Sequence, residues 1–520
     1  MMRSEKRKAV KRTGDSDLPE QVHPPLLKKV VQGGLWIFSL RIVNRSLGFI
    51  RTLILARLLS PEDFGLLGIA MLAITALETF SNTGFLAALI QKKDNVETYL
   101  DTAWTVSLIR GGVLFILLYV SAPYIADFFQ SPDAVFIIRV VALSAFLSGC
   151  KNIGMVYFQR ELEFHKYFIY EFSAVISDLL VSVTLAFLLR NVWALVWGGM
   201  AANIVRVMLS YYLHPHHPGI TFQKEKFWEI FRFGKWASAS GILIFLATQG
   251  DDFFVGKIFG TAALGIYQMA YMLSNLATTE ITHVISQVMF PAYAKIQDDR
   301  NQIKKNYLNV MQLTTALSFP LSAGFFILIP EFTAVFLTEK WMPVIVPVQI
   351  LSVAGAVRSL AATVGPVLYS IGRPDIDTVW QFVRVITLAL LLYPFSLGWG
   401  IAGVSAVVVI SIGISTVGFC VMLIRLTRIR AKEFLRLLMI PIMNSVFMAW
   451  MLYLLKKVFA GEGLWGFLLL GFAGIIIYFI LIFLSDTFLN YGLVSMLKKS
   501  PDIGQNPEKG LEDTGNAKQA

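Results

Sequence analysis

Residues 33–59 read GGLWIFSLRIVNRSLGFIRTLILARLL. A bilayer's hydrocarbon core needs about 20 apolar residues of helix to cross it, and this run is long enough. It nevertheless carries four arginines, Arg41, Arg45, Arg51 and Arg57. Working outward, comparable runs recur almost to Asn490 and give fourteen spans: 33–59, 64–90, 100–122, 134–158, 167–189, 191–213, 234–259, 262–290, 308–329, 344–371, 378–396, 399–424, 435–457 and 463–488. The chain of 520 residues is 56% hydrophobic and 15% charged, with a mean hydropathy of +0.64. Soluble domains carry about 25% charged residues. The composition therefore argues against a soluble enzyme and for an all-α polytopic membrane protein.

The 45 Lys and Arg exceed the 34 Asp and Glu, for a net charge of +11. With the N-terminus inside, thirty of them fall in cytoplasmic segments and five outside (Arg190, Lys257, Lys340, Lys456 and Lys457). The other ten lie within spans. That asymmetry predicts a multi-pass protein of the cell membrane with both termini cytoplasmic. Residues 1–32 form a basic cytoplasmic tail with no apolar core of a signal peptide before Val30, and 491–520 a disordered one. Orientation explains the basic charge better than nucleic acid does. Cys150 and Cys420 lie inside apolar runs, so neither a disulfide nor a thiolate metal site is expected. His214, His216 and His217 have no acid or thiol close in sequence, and no metal is expected there. No phosphate loop or nucleophile elbow is present.

An internal repeat sets the domain reading. Gly34-Leu-Trp36 matches Gly234-Lys-Trp236, Ile42 matches Ile242, Arg57-Leu58 matches Lys257-Ile258 and Gly65-Leu66 matches Gly265-Ile266, all at an offset of 200. Six spans separate the copies, so both enter the membrane in the same direction, as in parallel-repeat transporters. The expected units are an N-terminal six-helix lobe over 33–213, a cytoplasmic linker with an amphipathic surface helix over 214–233 (Phe227, Trp228, Ile230 and Phe231 among basic residues), and a C-terminal six-helix lobe over 234–424. Two additional helices follow over 425–490. Connections are too short for an extracytoplasmic domain, which places any function inside the bundle.

Charge inside a membrane is costly, about 2.5–3.5 kcal/mol per Arg or Lys on insertion scales. The ten intramembrane cations are Arg41, Arg45, Arg51, Arg57, Arg110, Arg139, Lys151, Arg206, Arg358 and Arg384. At 100° per residue Arg41, Arg45 and Arg51 share an arc with Asn44, Gly48 and Thr52, whereas Arg57 falls near the opposite side and can snorkel. One reading pairs each arginine with an acid of a neighbouring helix, such as Glu78 or Asp251. The other is a wet cavity for an anion, with Arg as a bidentate phosphate partner. In the second reading Arg41, Arg45 and Arg51 bind a diphosphate, with Arg110, Arg139, Lys151 and Arg206 as further cavity charges. Asp251 and Asp252 occupy the repeat positions of Arg51 and Thr52, which makes them, with Glu78, candidates for gating or ion coupling. Glu280 and His283, at i and i+3, form a candidate proton relay.

Several motifs carry a family resemblance. Leu55-Ala-Arg-Leu-Leu-Ser-Pro-Glu-Asp-Phe-Gly-Leu66, Gln91-Lys-Lys-Asp94, Gln159-Arg-Glu-Leu-Glu-Phe-His165, Phe290-Pro-Ala-Tyr-Ala-Lys-Ile-Gln-Asp-Asp299 and Glu339-Lys-Trp-Met-Pro343 resemble the polysaccharide transporter family of the multidrug/oligosaccharidyl-lipid/polysaccharide exporter superfamily. They are similar to Wzx-type flippases of the colanic-acid and teichuronic-acid kind, in order over nearly the whole chain. The resemblance implies a carrier, not an enzyme. It implies movement of an undecaprenyl-diphosphate-linked oligosaccharide between leaflets by alternating access, driven by a proton or sodium gradient or the membrane potential, without a bound cofactor. Membrane lipid, and the polymerase and chain-length proteins of polysaccharide assembly, are the implied partners. Asn44-Arg45-Ser-Leu-Gly48-Phe49-Ile-Arg51 looks like the first-helix pattern of the related lipid II flippases and so lends Arg45 and Arg51 a diphosphate-contact role. Thr52 departs from it, since those flippases tend to carry Asp there. A multidrug cation exporter of the same fold is the nearest rival. A membrane glycosyltransferase or polymerase is another, with Glu62-Asp63 its only tempting acid pair.

Overall fold

A computed structural model describes residues 24–81, 97–161, 163–459 and 463–493. Residues 1–23 and 494–520 of the expected tails, the Gln91–Asp94 motif and the side chains of Glu280 and His283 lie outside that description, whereas 24–32, expected as tail, are the first turns of a helix. The helices are α1 (Pro24–Leu58), α2 (Pro61–Phe80), α3 (Glu97–Phe128), α4 (Ala134–Cys150), α5 (Val156–Arg160), α6 (Phe164–Leu189), α7 (Trp193–Leu213), α8 (Lys224–Lys295), α9 (Arg300–Phe336), α10 (Ile345–Ser370), α11 (Pro374–Thr427), α12 (Ala431–Phe459) and α13 (Gly463–Leu489). Among the described residues there is no strand. Within the described residues the expected spans fall on these helices or on halves of them, except that 134–158 runs past the end of α4 at Cys150 through a short turn into α5, and residues 82–90 of the second span lie outside the description.

Two of the helices are hairpins. In α8 the backbone breaks at Gly260, whose φ of 83° suits glycine, and in α11 at Gly400, with φ 56°. The Tyr267 hydroxyl donates to Asp251 Oδ2 at 2.6 Å, whereas sixteen residues of straight helix would separate them by about 24 Å. The chain therefore doubles back at Gly260. In α11 a Cβ on Gly403 would run into the Phe395 carbonyl and one on Gly418 into the Trp380 ring, which is the same reversal.

Local chemistry sets the helix ends. Ser60 caps α2 by accepting from the Asp63 N–H at 3.2 Å, while Asp63 Oδ2 accepts from the Ser60 N–H at 2.8 Å, a reciprocal capping box with Pro61 in the first turn. This accounts for Asp63, half of the acid pair that tempted an enzymatic reading. Nine of the described helices are long and apolar enough to cross a membrane, and α1 and α8 are not among them. Those two carry the arginines and the Asp251-Asp252 pair, so composition undercounts the helices that matter most.

The repeat has a physical counterpart. A Cβ on Gly65 would collide with the Thr261 carbonyl, and a Cβ on Gly265 with the Pro61 carbonyl. Both pairs, 61 with 261 and 65 with 265, lie 200 apart, so α2 and the second half of α8 cross backbone to backbone in a reciprocal embrace. One turn on, Gly68 makes room for Gln268, again 200 apart.

The segment over 214–223 has no regular secondary structure, and the helix expected on the surface starts at Lys224 and runs on without a break into the following span. The segment is strapped to the first half of the chain. Gly219 N–H donates to Asp101 Oδ1 (3.1 Å), Thr221 N–H to Thr105 Oγ1 (3.0 Å) and Asn152 Nδ2 to the His216 carbonyl (2.5 Å). His216 reaches Asp101 at 3.4 Å, and its N–H donates to His214 Nδ1. Burial, then the neighbouring His216 and Lys166, hold the His214 imidazole below its usual range, which keeps that nitrogen an acceptor. The histidines therefore do have an acid nearby, but no metal-holding cluster exists among the described residues. Both cysteines are free, with Cys420 buried.

Candidate functional site

The first arginine of the site to find its partner is Arg51. Its Nη2 lies 2.9 Å from Asp178 Oδ1 and its Nε donates to Ser182 Oγ at 3.0 Å, both on α6. The side chains of Arg51 and Asp178 are 18% and 24% exposed. Neither Glu78 nor Asp251 is its counter-ion; Asp178 is. The residue that departs from the lipid II flippase pattern, Thr52, donates back to the Gly48 carbonyl at 2.9 Å, so the acid absent at 52 is supplied from across the helix pair. Arg206 Nη2 pairs with Glu171 on α6 at 3.1 Å, and its charge also reaches Asp178 and Lys151. Lys151 lies in the field of Glu171 and Glu78 and donates to Ser148 at 3.3 Å. Arg110 closes the chain at the end of α2, donating to the Glu78 carbonyl at 2.7 Å and to Ser81 Oγ at 3.0 Å.

The first half thus gathers Arg51, Arg110, Lys151 and Arg206 with Glu78, Glu171 and Asp178 in one electrostatic network. Arg41 and Arg45 are half-buried higher up the chain of α1. Arg139 does not join them. It lies 4.9 Å over the Tyr119 ring and 6.0 Å from that of Phe136, two aromatics that are themselves exposed. This is a peripheral cation–π arrangement, and Arg139 is dropped from the cavity.

The second half holds the acids. Asp251 is 2% exposed, takes the Tyr267 hydroxyl and feels the charge of Arg384. It makes no ion pair with Arg51, and it is not solvated at an interface. Asp252 faces Gln268 in a cavity of about 360 Å³ between α2 and α8. Beside it Arg358 donates to Asn275 Oδ1 and, at 3.2 Å, to the Tyr271 hydroxyl.

Residues 54–346 match the family model described as "Polysaccharide biosynthesis protein". The chain belongs to the polysaccharide biosynthesis protein family. Its relatives include the lipopolysaccharide biosynthesis protein WzxC of Escherichia coli (strain K12), 27% identical over 68% of this chain and 72% of that protein. The teichuronic acid biosynthesis protein TuaB of Bacillus subtilis (strain 168) is 26% identical over 72% and 77%. Among solved structures, the lipid II flippase MurJ in an inward closed conformation superposes with a TM-score of 0.70, over 87% of this chain and 99% of that one at 16% identity. An inward-facing multidrug resistance transporter of the MATE family gives 0.59 over 74% and 95%, at 18% identity. The fold is therefore that of these two solved proteins, a lipid II flippase and a multidrug resistance transporter of the MOP superfamily.

In this family member the two halves also meet at the end of the bundle where α1 stops at Leu58. Arg57 does not snorkel: its Nε donates to the Phe336 carbonyl at 3.0 Å and its Nη2 to the Val335 carbonyl, capping α9 of the other half. Its repeat partner Lys257 does the reverse, donating at 2.7 Å to the Phe128 carbonyl at the end of α3. Trp341 Nε1 donates to the Ala56 carbonyl at 2.7 Å and Lys340 to that of Arg57 at 3.3 Å. Helix C-termini carry orphan carbonyls and negative partial charge, so cations belong there. Here each half supplies the cations for the other. A Cys introduced at Ser60, with Cys150 and Cys420 replaced by alanine, reports on this end. Replacing Arg57 and Lys257 together by alanine removes three charged hydrogen bonds and, at roughly 1.5 kcal/mol each, is expected to raise its maleimide labelling by about three orders of magnitude. Unchanged labelling would show that the crossing glycines alone hold this end shut.

Sequence reasoning missed Asp178, Ser182, Tyr267, Gln268, Tyr271 and Asn275. A signal for the first two existed, because Glu171, Asp178 and Ser182 at i, i+7 and i+11 fall within about 40° of one helix face.

Proposed function

We propose that the chain is a flippase that moves a polyprenyl-diphosphate-linked oligosaccharide from the cytoplasmic to the outer leaflet of the cytoplasmic membrane. The observation that carries the reading is the interior network of the first half, where, among the described residues, Arg51, Arg110, Lys151 and Arg206 outnumber Glu78, Glu171 and Asp178. Such a site is held together without cargo yet keeps net positive charge for a diphosphate. The diphosphate docks at Arg45 and Arg51, with Arg41, Arg110, Lys151 and Arg206 around it. An apolar cavity of about 870 Å³, lined by Leu317, Leu321 and Phe325 of α9, Leu452 of α12 and Ile475 and Phe479 of α13, is a suitable lane for the prenyl chain. Both termini are cytoplasmic, which makes the Leu58 end the external gate. Asp251 is the coupling acid for a proton or sodium ion, and polymerase and chain-length proteins receive the product.

Deleting the gene is expected to leave a polyprenyl-linked oligosaccharide accumulating on the cytoplasmic leaflet, measured by lipid extraction and leaflet-selective labelling. No accumulation would overturn the reading, and efflux of a cationic dye by the purified protein would favour a drug exporter instead.

A further inference from the structure

The cavity between α2 and α8 is not explained by diphosphate binding. Its walls come from Thr75 and Met71 on α2, Thr248, Gln249 and Asp252 before the Gly260 turn, and Gln268, Tyr271 and Met272 after it. Gln268, one of its walls, lies against Gly68 of α2, where a Cβ would meet its side chain. At about 360 Å³ the cavity has the size of a small-molecule site. Its polar groups are mostly amides and hydroxyls, which offer donors and acceptors together, beside the carboxyl group of Asp252. The carboxyl group is not saturated, since Asp252 Oδ1 is buried without a hydrogen-bond partner. A buried acceptor of this kind is costly unless something donates to it.

The aromatic wall is fixed in advance. Arg358 donates to the Tyr271 hydroxyl, lies 5.3 Å from its ring centroid and is itself held by Asn275. Tyr271 accepts through its oxygen, so its own O–H is left as a donor. Gln268, Tyr271 and Asn275 are at i, i+3 and i+7 on one face of α8 after the Gly260 turn, with Gln249 and Asp252 on the half before it. A ring to stack on, thioethers beside it, amide and carboxyl partners around it and no net positive charge match a sugar ring, which has an apolar C–H face and a rim of hydroxyls.

We propose that this cavity is a saccharide subsite that recognises the sugar next to the diphosphate, with Tyr271 as the stacking platform and Asp252, Gln268 and Gln249 as hydroxyl partners. The proposal rests on the carrier reading above. Position supports it, because Thr75 and Glu78 are one turn apart on α2, about 4.5 Å along the axis. The Glu78 carbonyl is where Arg110 anchors, so the subsite adjoins the cationic network. Specificity follows from the same chemistry, as amide and carboxyl partners left unpaired by a wrong sugar are penalised.

The test uses the full chain in lipid nanodiscs and native mass spectrometry with three probes: undecaprenyl diphosphate, and the same lipid bearing a single hexose or a single N-acetylhexosamine. One of the sugar-bearing lipids is expected to bind at least about tenfold tighter than the bare lipid, a difference of two hydrogen bonds. Tyr271→Leu and Gln268→Leu should each erase that preference and leave bare-lipid affinity unchanged, while Tyr271→Phe, which keeps the ring, should retain part of it. Thermal melting confirms that each variant is folded. Equal binding of all three probes overturns the subsite, as does a Tyr271→Leu variant that weakens bare and sugar-bearing lipids alike. Binding of none of the probes by the folded wild type overturns the carrier reading itself.

Discussion

Arg51→Ala is expected to lower transport about a hundredfold and to destabilise the protein, and the two effects are separable. Arg51 is held by Asp178 and Ser182 on α6, so truncating it leaves the carboxylate of Asp178 mostly buried and unmatched. Breaking a buried pair from one side costs about 3–5 kcal/mol, because the remaining charge stays desolvated. Removing both charges in Arg51→Ala with Asp178→Ala relieves that penalty, and the double variant should melt within a few degrees of the wild type. Its transport should nonetheless stay low. The diphosphate loses a bidentate charged partner, and charge-assisted hydrogen bonds contribute about 1.5–3 kcal/mol each. Leaflet-selective quantification of the lipid-linked oligosaccharide, read beside a melting curve, distinguishes the two. A double variant with normal transport would show that Arg51 is only a strut between α1 and α6.

The second large effect belongs to the crossing. Gly65→Ala and Gly265→Ala each place a methyl group on a backbone carbonyl of the opposite half. Backbone cannot swing aside as a side chain does, so α2 and α8 must separate. Overpacking costs typically 1–3 kcal/mol where side chains can adjust, and these sites should exceed that range. Transport should fall to background and labelling of a Cys at Ser60 should become constitutive. The pair should also be non-additive. Once one methyl has parted the helices, the second meets no carbonyl, so the double variant should cost little more than either single one. Gly112→Ala and Gly199→Ala, where a Cβ has nothing within 4 Å, serve as controls and should behave as the wild type. Additive effects at 65 and 265 would mean that the two contacts are independent and not one joint.

Much of the fold was legible because membrane helices announce themselves by length. Gly65 and Gly265 are legible in the sequence as repeat positions, whereas their close approach is set by packing. The hairpin nature of α8 and α11 was readable only as two spans nearly touching, and the structure adds the reason, a glycine at positive φ in each. The site was legible by residue type and less so by partner. Arg51, Arg110, Lys151 and Arg206 do converge, whereas Arg139 does not, because its rotation on α4 turns it toward Tyr119 and Phe136. Partners come from helices remote in sequence, 127 residues apart for Arg51 and Asp178, and only packing sets that distance. Arg57 was read as a snorkelling side chain because its helix angle pointed away from the stripe. In the folded chain that direction faces α9, not lipid.

The strap over 214–223 has one more consequence. It is the covalent bridge between the halves, yet the hydrogen bonds that fix it run to Asp101, Thr105 and Asn152 of the first half. Mutual recognition of the halves resides instead in the glycine crossing and the exchanged caps of Arg57, Lys257 and Trp341. The polypeptide is in effect two interlocking pieces that happen to be joined. A chain nicked between Phe222 and Lys224 keeps every one of those complementary surfaces, and two separately synthesised fragments carry the full instructions for finding each other.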